Sequence, residues 1–484
     1  MSRRNRNRAK TPHQPTGKIE APTSAGLNVR AQYDAAGHGR RMRGWRTPSS
    51  GPNLATAGLE TIRNRTRDVV RNDWAATAGT RSWVTNLIGS GIVPRPKTGN
   101  AGLKVRLINL WDEWSRVADA DGVLDFYGLQ TLATRSWITS GEVFIRMRPR
   151  RLEDGLPVPL QIQLLEADMV PDFDADVRHG LPQGNRIRCG IELDRIGRRV
   201  AYWCYRNHPG DRGSMVNSAE LVRVPAAEMR HMFEPQRPGQ LRGVSDLAPV
   251  LTKLRGVMDF DDAVLERQRL ANLFTLFITR PTPEGPNPLE AIMGYDAGLG
   301  SESSVIMEPG LVQELAPGED VKFSAPPDSG ANYSEFVRSQ HIGVSAGQGL
   351  PYELLTGDLK DVSDRTLRII LNEFRRYCGQ RQWQVIIPML CQPVRDEWAT
   401  FAAMAGAILP SEISDARRVT WAPEAWQYIH PVQDVQAKRI EVEAGFRARS
   451  QVIAAMGEDP DEVDELRRQD AARGMRNAAA SGGR

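Results

Sequence analysis

The sequence has 484 residues, of which 40% are hydrophobic, and a formal net charge of +4. A chain of this length can form roughly three domains, each with its own core. It contains no run of ~18 apolar residues and no apolar N-terminal stretch, so we predict neither a membrane span nor a signal peptide. Four cysteines without a C-x-x-C pair argue against a zinc site or a disulfide framework.

The positive charge is concentrated at the N-terminus. Residues 1–50 hold eleven Lys or Arg against two acids, and the remainder holds 52 basic and 57 acidic residues. A protein that grips nucleic acid along its folded surface would be expected to have a basic body, and this body is mildly acidic. We predict that residues 1–49 form a disordered basic arm. The arm could contact nucleic acid or an acidic protein surface, or serve only as a solubilising tail.

Hydrophobic periodicity divides the first half of the body into helices followed by strands. A spacing of three and four residues predicts helices at 54–72, 75–88, 103–117 and 126–139. Alternation predicts strands at 142–148 and 160–165, a hairpin over 188–206, and short strands at 222–224 and 229–233.

The longest helical pattern runs from Ser245 to Thr279, and either Ser245 or Asp246 can cap its start. At ~1.5 Å per residue this helix would be on the order of 50 Å long, which suits a strut between layers of an assembly. A charged face lies beside the apolar stripe, although an ordinary solvated surface would explain it equally well. Its residues are Asp259, Asp261, Asp262, Glu266, Arg267 and Arg269.

After residue 279 the sequence predicts a loop-rich segment followed by further helices. Residues 280–330 are dense in Pro and Gly, with β-like runs at 304–307 and 321–324. A returning helix is predicted over 333–346, and a polar loop over 357–362. Ser363 or Asp364 then caps a second long helix, which Pro388 and Pro393 should kink or divide. Short charged helices follow from residue 432.

Two motifs point to chemistry, and each has a simpler explanation. Gly343–Gly347 matches the G-x-S-x-G nucleophile elbow of hydrolases, but the preceding residues look helical where the elbow needs a strand. Asp172, Asp174 and Asp176 resemble the start of a calcium loop that lacks its glycine and closing glutamate, which favours a solvated acidic loop over a weak cation site. There is no phosphate-binding loop and the histidines lack metal-ligand spacing, so we predict no cofactor and no metal.

Several segments, in this order, resemble the portal (head-to-tail connector) proteins of tailed bacteriophages, in particular the lambda-type branch. The resemblance covers about residues 50–470. The segments are RNRTRDVVRND, NLIGSGIVPRP, LQTLATRSWITSGEVFIRMR, LQIQLLEADMV, RVPAAEMRHMFEPQRPGQLRGVSDLAPVL, GLPYELLTGDLKDVSDRTLR and CQPVRDEW.

The resemblance implies a portal fold, α+β and mainly α, in which dodecameric rings surround a channel. It assigns a wing, a two-helix stem, a clip between the stem helices, a tunnel loop and a crown. The implied limits are 50–258 for the wing, 259–278 and 332–347 for the stem, 279–331 for the clip, 348–363 for the tunnel-loop region, 364–430 for the long wing helix and the residues after it, and 431–484 for the crown and tail.

The resemblance also implies a function without catalysis. The ring would stand at one capsid vertex of the virion, after assembly in the bacterial cytoplasm, and serve DNA packaging and ejection. The tunnel loop, which narrows the channel, would comprise Asp358, Leu359, Lys360, Asp361, Val362, Ser363 and Arg365. Expected partners are further copies of the chain, double-stranded DNA, the terminase large subunit, neck or tail adaptor (head-completion) proteins, and the major capsid and scaffold proteins, with no membrane. The alternatives are a serine hydrolase using Ser345 and another viral head structural protein.

Overall fold

The computed structural model describes residues 51–53, 58–211, 221–273, 277–278, 313–314, 333–360, 362–426 and 431–481. The predicted N-terminal arm and nearly all of the predicted clip, including its β-like runs, lie outside these ranges. The fold is α+β and mainly α, as expected. The helices are α1 Leu59–Asn72, α2 Trp74–Ile88, α3 Ala101–Ser115, α4 Phe126–Ser140, α5 Leu251–Leu273, α6 Tyr333–Gln348, α7 Tyr352–Thr356, α8 Asp364–Arg381, α9 Gln392–Met404, α10 Ile413–Arg417, α11 Pro431–Glu443, α12 Arg449–Ala455 and α13 Pro460–Ser481.

The strands form small sheets, all antiparallel except the pair β9 and β10. They are β1 Val93–Pro96, β2 Glu142–Pro149, β3 Leu160–Leu165, β4 Arg186–Arg188, β5 Ile191–Leu193, β6 Arg199–Cys204, β7 Val222–Pro225, β8 Met229–Phe233, β9 Phe277–Ile278, β10 Gln313–Glu314 and β11 Val419–Ala422. One sheet has the order β3-β2-β8 and a second the order β4-β5-β6-β7. β1 pairs with β11, and the two-residue strands β9 and β10 pair in parallel.

The main core joins α2, α3 and α4 to the helices after residue 364. Trp83, Trp114, Trp137 and Trp398 are fully buried in it. Successive side chains of β2 point to opposite faces, so Val143, Ile145 and Met147 enter this core, whereas Phe144 enters a second cluster between the two larger sheets. The first four predicted helices and all the predicted strands of this region are present to within a few residues.

The start of the long helix was predicted wrongly. Residues 246–250 form turns, and α5 begins at Leu251 with 23 residues, or about 34 Å; residues 277–278, at the predicted end of the helix, form β9. The Ser245 hydroxyl donates to the Ile138 carbonyl at 3.0 Å and accepts from the Leu247 amide at 3.1 Å, so it caps the turn that precedes α5. Asp246 accepts from Arg381 of α8 at 2.6 Å. Ile138 and Arg381, each more than a hundred residues away along the chain, hold the backbone out of helical geometry.

The longest continuous helical segment of the described residues runs instead from Asp364 to Met404. Its centre, Gln382–Cys391, is a π-helix that contains Pro388. Proline lacks an N–H and its ring displaces the preceding carbonyl, and the wider π turns accommodate both effects. The two prolines therefore do not divide the helix, because Pro393 lies just after the π segment and the helix continues through it as α9.

A buried ionic network joins the first sheet to the segment before α5. Glu142, with no exposed surface, accepts from Arg242 at 2.6 Å, from the Gly243 amide at 2.8 Å and from His231 Nε2 at 2.9 Å. Burial alone would raise the pKa of Glu142, but Arg242 and His231 hold it well below its usual range. Arg242 also donates to the carbonyl oxygens of Ala167, Val170 and Cys189. Glu142 and Arg242 are therefore paired and hydrogen-bonded, as buried charges require.

His231 predicts a pH dependence of stability. Its Nε2–H donates to Glu142 and its Nδ1 accepts from Arg199 at 2.8 Å, which fits only the neutral ring. Burial lowers the pKa of His231 to about 4. Between about pH 6.5 and 4, His231 is therefore protonated in the unfolded chain and neutral in the folded chain. The free energy of unfolding should fall as the pH is lowered through this range. Urea unfolding at pH 7 and pH 4.5 measures the loss, which should be smaller in His231→Gln; an equal loss in that variant would contradict the assignment.

No helix among the described residues is long and apolar enough to cross a membrane.

Candidate functional site: the α5–α6 pair and the loop after α7

Helices α5 and α6 pack against each other in antiparallel directions. Phe260 of α5 lies 6.0 Å from the Tyr333 ring and 4.9 Å from the Phe336 ring, measured between centroids. Tyr333 also donates its hydroxyl to Asp261 at 2.8 Å. At the other end, Gly347 of α6 faces Val250, just before α5 begins. α6 is therefore the predicted returning helix, and it packs beside α5.

The glycines of the G-x-S-x-G match serve this packing. A β-carbon on Gly347 would overlap Val250, and one on Gly343 would overlap the Lys253 side chain. Ser345 between them lies inside α6, is buried, and donates its hydroxyl to the Leu350 carbonyl at 2.6 Å. The strand that a nucleophile elbow requires before its serine is helix here, so the motif match reflects close helix packing.

A matched pair of alanine substitutions tests this packing. Gly347→Ala should lower the free energy of unfolding by ~1 kcal/mol or more, because the new methyl group overpacks against Val250. Gly256 lies inside α5 with open space around its α-carbon. Gly256→Ala should therefore raise the free energy of unfolding by roughly 0.5–1 kcal/mol, because alanine has the higher helix propensity. Chemical denaturation measures both, and a stabilising Gly347→Ala would show that the two segments are not in close contact.

The predicted tunnel loop follows α7 and is fixed at its start. Asp358 accepts from the Tyr352 hydroxyl at 3.1 Å and from the Lys360 amide at 3.0 Å, and lies 3.6 Å from the Arg338 guanidinium. The Lys360 amide contributes most to holding the pKa of Asp358 below its usual value. Arg338 belongs to α6, where it also stacks over the Tyr352 ring. The base of the loop is thus attached to the second helix of the pair.

The remaining loop residues differ in exposure. Leu359 is 58% exposed, and Lys360 and Arg365 are also exposed. Val362 donates its amide to the Leu359 carbonyl at 3.3 Å, and Asp361 lies outside the described residues. Ser363 caps α8 by accepting from the Thr366 amide, as predicted. Among the described residues, the side chains of Leu359, Lys360, Ser363 and Arg365 are therefore accessible, whereas Asp358 lies against α6.

The charged face predicted on the long helix separates into two groups. Asp261 is partly buried at the contact with α6, whereas Asp259, Asp262, Glu266 and Arg269 are exposed. Asp259 pairs with Arg255 at 2.8 Å and Glu266 with Arg269 at 3.6 Å, both within α5. Arg267 is partly buried. The tyrosine contact of Asp261 had no local sequence signal, because Tyr333 is far away along the chain.

Two carboxylates of the acidic loop have partners, one a backbone amide and the other an arginine. Asp174 accepts from the Cys189 amide at 2.8 Å, and Asp176 pairs with Arg188 at 2.7 Å. Both carboxylates thus have partners within the fold, and the preference for a solvated acidic loop over a cation site stays a prediction.

A second cluster, missed in the sequence, is formed by Glu166, Asp168 and His208, whose ligand atoms lie within 4.8 Å of one another. Arg67 pairs with both carboxylates, at 2.9 and 2.6 Å. The Gly210 amide donates to His208 Nδ1, so the neutral ring carries its proton on Nε2, which faces Glu166 at 3.2 Å. A metal ion would have to displace both that proton and Arg67, so the cluster fits a set of ion pairs better than a metal centre.

Comparisons with known proteins identify the family of this chain. Residues 38–382 match the family model for phage portal proteins of the lambda family. The probable portal protein of Halomonas phage phiHAP-1 is 27% identical over 421 residues, covering 84% of this chain and 78% of its own length. Portal protein B of Escherichia phage lambda is 21% identical, covering 88% and 86%.

A chain from the neck of an empty gene transfer agent particle shares 13% identity with a TM-score of 0.44, covering 87% of this chain and 98% of its own length. Since the match to the family model extends over most of the sequence, this chain belongs to the lambda family of phage portal proteins.

Proposed function

We propose that this chain forms a dodecameric ring at one vertex of a phage capsid and that DNA passes through the ring during packaging and ejection. The observation that carries the proposal is the match of residues 38–382 to the lambda family of phage portal proteins. The contact of Asp358 with Arg338 supports the part of the proposal in which the loop is fixed beside α6. In this proposal α5 and α6 are the stem helices and the loop narrows the channel. The domain limits implied by the resemblance remain predictions.

The charges of the loop suit a channel that DNA must traverse. Each phosphate contact made by Lys or Arg adds affinity, so a strongly basic constriction would retard the duplex. Here the cations Lys360 and Arg365 alternate along the chain with Asp358, Asp361 and Asp364. Such mixed charge would position DNA without holding it, in line with the mildly acidic body.

Ring closure requires two different complementary faces on each subunit. We assign the exposed α5 residues Asp259, Asp262, Glu266 and Arg269 to such a face, where their intrahelical pairs could exchange for pairs with a neighbour. The other proposed partners are the terminase large subunit during packaging, neck or tail adaptor proteins afterwards, and the capsid and scaffold proteins at the vertex. The proposed location is the virion, after assembly in the host cytoplasm.

The proposed function includes no catalysis. Ser345→Ala should leave ring formation and DNA packaging unchanged, because the hydroxyl donates only to a nearby carbonyl. Packaging is measured as DNA protected from nuclease in assembled capsids, and esterase activity with a chromogenic ester provides the second readout. A hydrolase activity that the intact chain has and the variant lacks would contradict the proposal.

The mass of the purified chain tests the proposed assembly. Twelve copies of a 53.8 kDa chain give a ring of roughly 650 kDa. Light scattering coupled to size exclusion should find a species near that mass. A species of one or two chains at every concentration would contradict self-assembly of the isolated protein.

A further inference from the structure

A groove of about 570 Å³ lies between the two larger sheets, away from the stem and the loop. Arg146 and Arg148 of β2 line one side, with Gln163 beside Arg146 on β3. Arg206, just after β6, lines the other side together with Val222 and Val224 of β7. The groove is thus a mixed surface of three guanidinium groups and apolar side chains.

The alternation of β2 explains how arginines reach this groove. Phe144, Arg146 and Arg148 share one face of the strand. Phe144 is buried in the cluster between the sheets, whereas the two arginines are partly exposed. The face therefore changes from apolar to cationic where the groove opens.

None of the three arginines forms a side-chain hydrogen bond or ion pair with another described residue, and the Nε of Arg146 is buried without an acceptor. Burial and the neighbouring charge of Arg148 lower the pKa of Arg146, and Glu228 offsets this only in part. A buried N–H without an acceptor costs free energy that an incoming oxyanion would recover. Arg146 and Arg148 thus place positive charge in the described part of the groove without a paired carboxylate, whereas Arg206 also lines an adjoining cavity that contains Asp121, Glu166 and Asp211.

We infer that this groove binds a short acidic segment of a partner polypeptide in which carboxylate side chains alternate with apolar ones. Guanidinium groups bind carboxylates through paired hydrogen bonds. Val222 of β7, which is partly exposed, would contact an apolar side chain of such a segment, which an inorganic anion does not possess. A continuous phosphate backbone fits less well, because it too has no apolar side chain to place against Val222.

Binding of a model peptide to the full-length protein tests the inference. The probe is a fluorescein-labelled hexapeptide of alternating aspartate and leucine, blocked at both ends, followed by fluorescence anisotropy. Arg146→Gln and Arg148→Gln should each weaken binding about tenfold, the effect of losing a charge-assisted hydrogen bond. Arg198→Gln removes the same charge from the exposed turn between β5 and β6 and should change little. Circular dichroism and urea unfolding check that the variants fold. If Arg146→Gln does not fold, Arg148→Gln carries the test, because the Arg148 side chain is partly exposed.

Four results would overturn the inference. The first is equal binding of a peptide with asparagine in place of aspartate, and the second is equal weakening by Arg198→Gln. The third is a labelled DNA duplex that binds more tightly than the peptide and loses affinity in the same arginine variants, which would make the groove a nucleic-acid phosphate site. The fourth is no detectable binding of the aspartate–leucine peptide by the intact protein.

Discussion

Replacing Glu142 with alanine is expected to lower the free energy of unfolding by ~3–5 kcal/mol, the usual cost of breaking a buried ion pair from one side. The carboxylate neutralises Arg242 and accepts hydrogen bonds from His231 and the Gly243 amide, and none of these groups can reach water. Arg242 would remain buried and charged, although its bonds to three carbonyl oxygens persist. Urea or guanidinium unfolding measures the loss.

Two comparisons isolate the cause of this loss. Asp112→Ala breaks an exposed pair between Asp112 of α3 and Arg116, which directly follows that helix. It should lower the free energy of unfolding by less than ~0.5 kcal/mol. Glu142→Gln keeps the shape but not the charge and should be destabilising by an intermediate amount. A loss below ~1 kcal/mol for Glu142→Ala would show that the network does not hold the first sheet to the segment before α5.

Deleting Asp358–Asp361 is expected to reduce DNA packaging or retention severely while rings still form. The deletion removes the proposed constriction and the contact from Asp358 to Arg338, but leaves the α5–α6 packing at Phe260 in place. Packaged DNA is measured as nuclease-resistant DNA in particles assembled with the variant. Ring formation is measured on the purified variant.

A control deletion of equal length is available in the β2–β3 connection. Residues 152–155 are all exposed, and their removal shortens that hairpin without touching the proposed channel. This control should package normally. Normal packaging by the Asp358–Asp361 deletion would refute the assignment of the tunnel loop, whereas equal failure of both variants would point to a general loss of assembly.

Local patterns predicted the helices and strands well where their contacts are local. The helix after Asp73 and the strand over 160–165 are marked by capping residues and by alternation. The start of α5 was missed because Asp246 is engaged by Arg381, 135 residues further along. The pairing of Val93–Pro96 with Val419–Ala422 was missed for the same reason, since neither strand has a local partner.

The candidate site was predicted by a different route. The order of helix, excursion, helix and loop is visible in the periodicity, but the roles of stem and tunnel loop came from the family resemblance. The contact of Arg338 with Asp358 follows from neither, because it depends on how α6 and α7 pack. The arginine groove was also missed. The alternation of β2 places Arg146 and Arg148 on one face of the strand, but the groove forms only where the second sheet lies opposite that face.

Electron microscopy of the purified protein, with the position of the 357–363 loop determined in the reconstruction, is the sharpest test of the proposed channel. We expect a ring with an open channel, α5 and α6 beside the channel, and Leu359 and Lys360 at its narrowest point. A closed shell, or a ring in which this loop lies on the outer surface, would contradict the proposal.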